Sequence, residues 1–168
     1  KSKGAYVYTT TSTKNVPWVK ELGADRVIDY KTENYLDIVK DIDIVYDTLG
    51  GNYTKDAFKV IQKGGKVISL AGEVDEETAK ELGLNGLVRF ILKLKRKQIT
   101  KQAKNKSAYY KLVLMQPNGN QLNDIKLLVE TEKIKPIIDQ VFNFSEAINA
   151  LVYQKSGRAK GKIIIKMK

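Results

Sequence analysis

The chain has 168 residues with a formal net charge of +11 at pH 7, and 42% of them are hydrophobic. That length and composition suit a folded domain with a sizeable core, and no apolar run approaches the ~18 residues that a membrane-spanning helix needs. The chain has no Cys and no His, which excludes disulfides, Cys- or His-based nucleophilic catalysis and the usual zinc ligands within it. The lack of Cys fits a cytoplasmic protein, and the lack of a long apolar run predicts no membrane partner.

From Ala5 to Gly72 the sequence alternates predicted strands with predicted helices. Nearly continuous apolar runs such as VYDTL are typical of parallel strands in a sheet covered on both faces. Gly23 and the Gly64-Gly65 pair mark helix ends. The predicted strands are Ala5–Thr9, Arg26–Asp29, Asp43–Thr48 and Lys66–Leu70, and the predicted helices are Val16–Leu22, Tyr35–Val39 and Thr54–Gln62.

Beyond Glu76 the pattern becomes more helical. Apolar residues within Leu82–Leu94 recur at helical spacing. The later predicted elements are a strand at Ala108–Met115, a turn at Pro117–Gly119, a helix at Leu122–Glu132, a strand at Pro136–Phe142, a helix at Ser145–Tyr153 capped by Ser145, and a strand at Lys162–Lys166. The order of elements predicts an α/β fold with a Rossmann-like, doubly wound parallel sheet and added C-terminal helices and strands.

The first predicted strand ends in a cluster of hydroxyl side chains followed by a lysine, Thr9–Lys14. In a doubly wound nucleotide-binding sheet, the tip of the second strand meets the adenosine ribose of a dinucleotide. An acidic residue there would bind a bare 2′-hydroxyl, whereas hydroxyls and a cation favour a 2′-phosphate through charge-assisted hydrogen bonds. This pattern predicts NADP(H) as the cofactor. The alternative is a polar loop whose Ser and Thr side chains cap the next helix.

Six segments stand in the order found in a known superfamily: ELGADRVIDY, IDIVYDTLGG, GGKVISLAG, LMQPNGNQL, EKIKPIIDQVFNFSEAINAL and SGRAKGKIII. The chain resembles the C-terminal part of a medium-chain dehydrogenase/reductase, in the zinc-free quinone oxidoreductase-like branch that includes zeta-crystallin and enone reductases. The resemblance implies the cofactor-binding portion of an NADPH-dependent oxidoreductase that reduces a quinone or an α,β-unsaturated carbonyl by hydride transfer. A relative of the zinc-dependent alcohol dehydrogenases is an alternative, because most zinc ligands of such a protein would lie outside this segment.

The resemblance also implies cofactor contacts at individual positions. Thr11, Ser12 and Lys14 would hold the adenosine 2′-phosphate, and Tyr30 would lie beside the adenosine. Gly50 would let the backbone approach the cofactor closely. The remaining implied contacts, on the nicotinamide side, are Ser69, Leu70, Ala71, Gly72, Leu112, Val113 and Leu114. Ordinary turns and plain core packing are the alternatives for these glycines and leucines, and no catalytic residue is assigned.

Two parts of the superfamily pattern are missing from the sequence. There is no GxGxxG turn, and the N-terminal domain that provides much of the substrate pocket has no counterpart. In the strand order 3-2-1-4-5-6, the lost first strand lies between strands two and four, so we expect a gap in the sheet with unpaired backbone groups on both sides. We therefore expect Lys1–Lys168 to be a piece of a longer polypeptide that, when alone, either borrows a strand, rearranges or binds cofactor poorly.

Basic residues concentrate in Lys93–Lys106, which contributes +7 to the net charge and contains no acid. We interpret this segment as an outer helix face, with Leu87, Ile91 and Leu94 packing inward, and do not expect a nucleic-acid partner. The alternative is a nucleic-acid-binding or interaction module on a Rossmann-like scaffold. Strand Ala108–Leu114 is expected at a sheet edge, which, with the resemblance, predicts a homodimer.

Overall fold

The structure, a computed structural model, describes residues 1–167, in which strands and helices alternate along the chain. The strands are β1 Tyr8–Thr11, β2 Arg26–Asp29, β3 Ile42–Asp47, β4 Ile61–Ser69, β5 Tyr109–Leu112, β6 Ile138–Asn143 and β7 Lys162–Lys166. The α-helices are α1 Val16–Glu21, α2 Tyr35–Ile38, α3 Asn52–Val60, α4 Glu76–Glu81, α5 Gly86–Lys95, α6 Lys97–Asn105, α7 Gly119–Glu130 and α8 Ala147–Lys155. No helix in this part of the chain is long and apolar enough to cross a membrane.

All strand pairs in the described residues are parallel. Strands β1 and β2 form one sheet, and β3, β4 and β5 form another with β4 in the middle. Both sheets belong to a structural unit that contains Lys3–Gln116, and a second unit begins at Pro117 and contains the β6–β7 pair. The predicted α/β class with a parallel, Rossmann-like arrangement is confirmed.

The parallel sheet is divided at the place where the Rossmann order puts its first strand. Among residues 1–167, β1 pairs with β2 alone and β3 pairs with β4 alone, so each has one unpaired edge. Large side chains near these edges are exposed as well, including Tyr8 of β1 and Ile44 and Tyr46 of β3. The expected gap in the sheet is confirmed.

Two buried clusters hold the first unit together. One joins α3, β4 and α6 through side chains that include Phe58, Val67 and Ile99. The other includes Ile28 of β2 and Val60 at the end of α3. Helix α3 therefore packs against residues from both sheets.

The boundary between α3 and β4 differs from the prediction. We predicted a helix at Thr54–Gln62 that breaks at Gly64-Gly65, but α3 ends at Val60 and β4 begins at once at Ile61. A Cβ added at Gly65 would lie 2.9 Å from the Asp43 carbonyl oxygen and 2.5 Å from the Ile61 side chain. The glycine is needed there for close packing of β4 against β3, and it does not end the helix.

Two turn and cap predictions in the C-terminal part were wrong. The predicted turn Pro117–Gly119 is the start of α7, where the Asn118 side chain accepts a hydrogen bond from the Gln121 N–H at 3.0 Å. Ser145 lies inside a short 3-10 turn, and Asn143 occupies the N-cap position. The Glu146 carboxylate accepts a hydrogen bond from the Asn143 N–H at 3.3 Å, which closes this turn.

The apolar pattern at Leu82–Leu94 does not form a buried stripe. Gly83 adopts a φ of +64° and separates α4 from α5. On α5, Leu87, Ile91 and Leu94 are exposed, so the expectation that they pack inward was wrong. Strand β5 is shorter than predicted but does lie at the edge of the β3–β4–β5 sheet, as expected.

Candidate functional site

The predicted site residues lie at or just after the carboxyl ends of five parallel strands. Thr11 ends β1, Tyr30 follows β2, Gly50 follows β3 within three residues, Ser69 ends β4 and Leu112 ends β5. In open α/β sheets, ligands bind outside this edge. The break between β1 and β3 divides the predicted residues into two groups, one on each sheet.

The first group surrounds the tips of β1 and β2. The Tyr30 N–H donates to the Thr11 carbonyl oxygen at 3.1 Å, which joins the two tips. Ser12 is buried and precedes the 3-10 turn Thr13–Asn15, in which Lys14 is exposed. The side chains of Ser12 and Asn15 make no capping hydrogen bond, so helix capping does not explain the hydroxyl cluster at Ser12.

Asp29, an acidic residue that was not among the predicted site residues, lies beside this group. It pairs with Thr11 in the β1–β2 register, and its Oδ1 accepts from the Lys31 N–H at 3.0 Å. Hydrogen bonding by Thr13, together with this amide, outweighs the effect of burial and lowers the pKa of Asp29 below its ordinary value. The tip therefore carries an ionised carboxylate that already has donors, as well as the exposed ammonium group of Lys14.

Asp47, at the end of β3, is the centre of the second group. Its carboxylate is 6% exposed and accepts four hydrogen bonds, from the Leu49 and Gly50 N–H groups at 2.9 Å, from Thr54 Oγ1 at 2.5 Å and from Ser69 Oγ at 2.8 Å. Burial alone would raise the pKa of Asp47, but these hydrogen bonds lower it below its ordinary value. Sequence reasoning missed this role, for which the available signal was a carboxylate at a strand end just before Gly50-Gly51.

The loops after β3 and β4 are in direct backbone contact. Gly50 has a φ of +75°, and a Cβ at this position would lie 2.1 Å from the Ala71 carbonyl oxygen. The Leu70 N–H donates to the Asp47 carbonyl oxygen at 2.8 Å, and the Ala71 N–H donates to Ser69 Oγ at 3.2 Å. Gly50 is therefore needed for close packing of the two loops, and its contact with the cofactor stays a prediction.

The end of β5 is held by residues at the start of α4. Asp75 Oδ2 accepts from the Leu112 N–H at 2.8 Å, and Thr78 Oγ1 donates to the Leu112 carbonyl oxygen at 3.0 Å. The Val113 N–H donates to the Ser69 carbonyl oxygen at 2.9 Å. Leu112 is a buried core residue, and its backbone is fixed because the N–H groups of Leu112 and Val113 both have acceptors. The exposed side of Val113 and Leu114 remains open to a ligand.

Comparison with known proteins identifies the family to which this arrangement belongs. Residues 22–165 match the sequence profile of the zinc-binding dehydrogenase family. The chain belongs to this family. The resemblance to medium-chain dehydrogenase/reductases that the sequence suggested is therefore confirmed.

Individual relatives cover nearly the whole zinc-binding dehydrogenase chain. It is 31% identical to 2-methylene-furan-3-one reductase of Solanum lycopersicum and 30% identical to the chloroplastic NADPH-dependent alkenal/one oxidoreductase of Arabidopsis thaliana, over 161 residues and 95% of this chain in each case. The structure matches the quinone oxidoreductase of Coxiella burnetii with a TM-score of 0.72 and 27% identity, over 99% of this chain. The chain spans 33% of the length of each plant protein and 46% of the bacterial chain.

The zinc in the family name does not fit the residues present here. Residues 1–167 contain no group of three or more His, Cys, Asp or Glu side chains that could hold a metal ion. A dinucleotide fits better, because the tips of β1 and β2 offer hydroxyls and an ammonium group, and the tips of β3 and β4 form a tightly packed glycine-containing edge.

Proposed function

We propose that this chain is the cofactor-binding portion of an NADPH-dependent oxidoreductase that reduces a quinone or an α,β-unsaturated carbonyl compound by hydride transfer. The observation that carries the proposal is the position of the predicted cofactor residues at the carboxyl ends of five parallel strands in a zinc-binding dehydrogenase chain. The names of relatives support the substrate class, since they include an alkenal/one oxidoreductase, a furanone reductase and a quinone oxidoreductase.

In this proposal the tips of β1 and β2 bind the adenosine end of NADPH. Thr11, Ser12 and Lys14 would hold the 2′-phosphate, and the exposed ring of Tyr30 would stack beside the adenosine. The carboxylate of Asp29 disfavours a phosphate in principle, but the Lys31 N–H and Thr13 already satisfy it. The ammonium group of Lys14 is exposed and can turn toward an incoming phosphate.

The tips of β3, β4 and β5 would hold the nicotinamide side. When bound, the nicotinamide supplies the hydride, and the chain supplies binding and orientation. Asp47 fixes the loop that contains Gly50 and the end of β4 at Ser69, so it positions both edges of this half. Ala71 and Val113 are exposed residues and would contact the cofactor amide, although their N–H groups are already bonded to Ser69. We assign no proton donor or acceptor among the described residues.

We further propose a homodimer that forms through β5. This strand lies at the edge of the β3–β4–β5 sheet. Asp75 and Thr78 already bind the Leu112 N–H and C=O, so a second copy would pair with the part of β5 before Leu112. Sedimentation of the full polypeptide measures its mass directly, and a monomer at micromolar concentration would contradict this part of the proposal.

The cofactor proposal is tested by titrating the full polypeptide with NADPH and NADH and comparing Lys14→Ala with the wild type. We expect NADPH affinity to fall about tenfold or more, because a hydrogen bond to a charged group contributes ~1.5–3 kcal/mol, while NADH affinity stays within about twofold. Lys20→Ala, on the exposed side of α1, is the matched control. Equal losses for both cofactors, or no preference for NADPH in the wild type, would refute the proposal.

A further inference from the structure

Helix α5 carries an exposed apolar stripe. Leu87, Phe90, Ile91 and Leu94 follow the spacing i, i+3, i+4, i+7, which places them within an arc of about 100° on a regular helix. They are 71%, 57%, 47% and 57% exposed. Within residues 1–167 this stripe has no buried partner surface, although its spacing is that of a helix face that normally packs against something.

Lysines lie on both sides of this stripe. Lys93 and Lys95 of α5 project about 100° to either side of its centre on a helical wheel. The next helix, α6, continues the charge with exposed Lys97, Lys101 and Lys104, which are spaced i, i+4, i+7. Helices α5 and α6 together contain six Lys and Arg residues and no Asp or Glu, and Arg96 lies between them.

Nearby carboxylates do not neutralise these lysines. Glu76 of α4 forms ion pairs with Arg89 and Arg96. The other two glutamates of α4, Glu77 and Glu81, lie 3.1 Å and 2.8 Å from Lys111 Nζ. In the part of the chain that the structure describes, no carboxylate lies within 4.0 Å of an exposed lysine of α5 or α6. Within residues 1–167, the positive charge beside the apolar stripe is therefore not neutralised by a carboxylate.

We propose that α5 and α6 form a peripheral docking surface for an anionic lipid membrane. An amphipathic helix with large apolar residues on one face and lysines at its flanks lies in the plane of the interface, with the apolar face among the acyl chains and the ammonium groups at the headgroups. Lysine clusters beside such a face are attracted to anionic lipids. This interaction needs no membrane-spanning helix, and it replaces the expectation that the protein has no membrane partner.

Other occupants fit the surface less well. A nucleic acid would use the lysines but leave Leu87, Ile91 and Leu94 exposed, because a phosphate backbone offers little apolar surface. A second copy joined through the same face would bring two sets of like charges together. A lipid surface satisfies the apolar and cationic groups at once. It is also independent of the cofactor proposal, because vesicle binding requires no dinucleotide.

The test is co-sedimentation of the full polypeptide with vesicles of phosphatidylcholine alone or with about one third phosphatidylglycerol, at about 0.15 M salt. We expect binding only to the anionic vesicles. L87N/I91N should weaken it about tenfold or more through lost apolar burial. K93Q/K95Q should weaken it about 30-fold, at about fivefold per lysine. The matched controls are L122N/I148N and K20Q/K40Q, which change equally exposed residues elsewhere and should bind like the wild type.

Several results would overturn the proposal. These are no vesicle binding, equal binding to neutral and anionic vesicles, or unchanged binding of L87N/I91N. Binding to generic duplex DNA that K93Q/K95Q abolishes and L87N/I91N leaves intact would assign the surface to nucleic acid. A dimer that L87N/I91N alone dissociates would assign it to a second copy. Circular dichroism checks folding, and if L87N/I91N does not fold, then K93Q/K95Q against its control decides.

Discussion

Replacement of Asp47 by Asn tests whether one carboxylate holds the tips of β3 and β4 together. In the wild type, Oδ1 accepts from the Leu49 and Gly50 N–H groups and Oδ2 accepts from the hydroxyls of Thr54 and Ser69. Asn can keep the two backbone bonds through its carbonyl oxygen. Its NH₂ group, however, replaces the oxygen that accepts from the two hydroxyls, so their protons lose an acceptor.

The cost of this change follows from burial. Thr54 and Ser69 are 0% exposed, so water cannot replace the lost acceptor. Each buried polar group without a partner costs ~1–3 kcal/mol, and we expect Asp47→Asn to lower the free energy of unfolding by about 2–4 kcal/mol. Asp43→Asn is the matched control, because this exposed residue of the same strand accepts only from the Gln62 side chain and should cost under ~1 kcal/mol.

Urea unfolding of both variants, extrapolated linearly to water, measures this difference. Because hydrogen bonding lowers the pKa of Asp47 from its ordinary value of 3.8, the carboxylate stabilises the folded state above that pH, and the contribution is lost as the pH falls through the folded-state pKa. The gap between wild type and Asp47→Asn should therefore be constant near neutrality and narrow below pH ~4. If Asp47→Asn lies within ~0.5 kcal/mol of Asp43→Asn at pH 7, Asp47 is not the connection between the two loops.

Two further substitutions test the same edge and its surroundings. Gly50→Ala should cost more than ~3 kcal/mol in urea unfolding, because its Cβ would overlap the Ala71 carbonyl oxygen at 2.1 Å. Gly51→Ala has open space but a backbone at φ +60° and ψ −121° that other residues avoid, so it should cost ~1–3 kcal/mol. Equal costs would show that the loops can separate. Arg89 and Arg96 lower the pKa of Glu76 from 4.5 to about 2, so Glu76 stabilises the fold above pH 4.5 and loses this effect toward pH 2. The urea midpoint of Glu76→Gln should consequently fall less than that of the wild type between pH 5 and pH 3, and parallel curves would contradict this.

Local sequence signals were sufficient for the order of elements up to β4 and from β5 onward, but they did not separate the three helices between these strands. The strand at Lys162–Lys166 was predicted with its observed bounds, and the gap beside β3 followed from strand order alone. The predicted ends of helices and strands were wrong where tertiary packing overrode a local sequence signal. Gly65 reads as a helix breaker, yet it lies within β4 because any side chain there would meet the Asp43 carbonyl oxygen.

The contacts that hold the candidate site were outside the reach of sequence patterns. Asp47 and Ser69 are 22 positions apart, and Asp75 and Leu112 are 37 apart, so no periodicity or spacing rule brings them together. The roles of the Asp47 and Asp75 carboxylates are apparent only in the folded structure, where parallel strands align their carboxyl ends. The prediction that the α5 stripe packs inward was wrong for a different reason. Helical periodicity detects an apolar face but does not show whether the protein itself covers that face.

The two halves of the candidate site are supported to different degrees. Hydroxyl and backbone N–H groups donate buried hydrogen bonds to the carboxylates of Asp47 and Asp75, and these bonds fix the tips of β3, β4 and β5 to one another. Each carboxylate is thus surrounded by protein donors in place of water. The tips of β1 and β2 are joined by their parallel pairing and by the bond from the Tyr30 N–H to the Thr11 carbonyl oxygen, and Lys14 is exposed. In the proposed function, the hydrogen-bonded tips of β3, β4 and β5 would serve the nicotinamide, whose reacting carbon needs precise placement, and the exposed lysine would hold a phosphate through its flexible side chain.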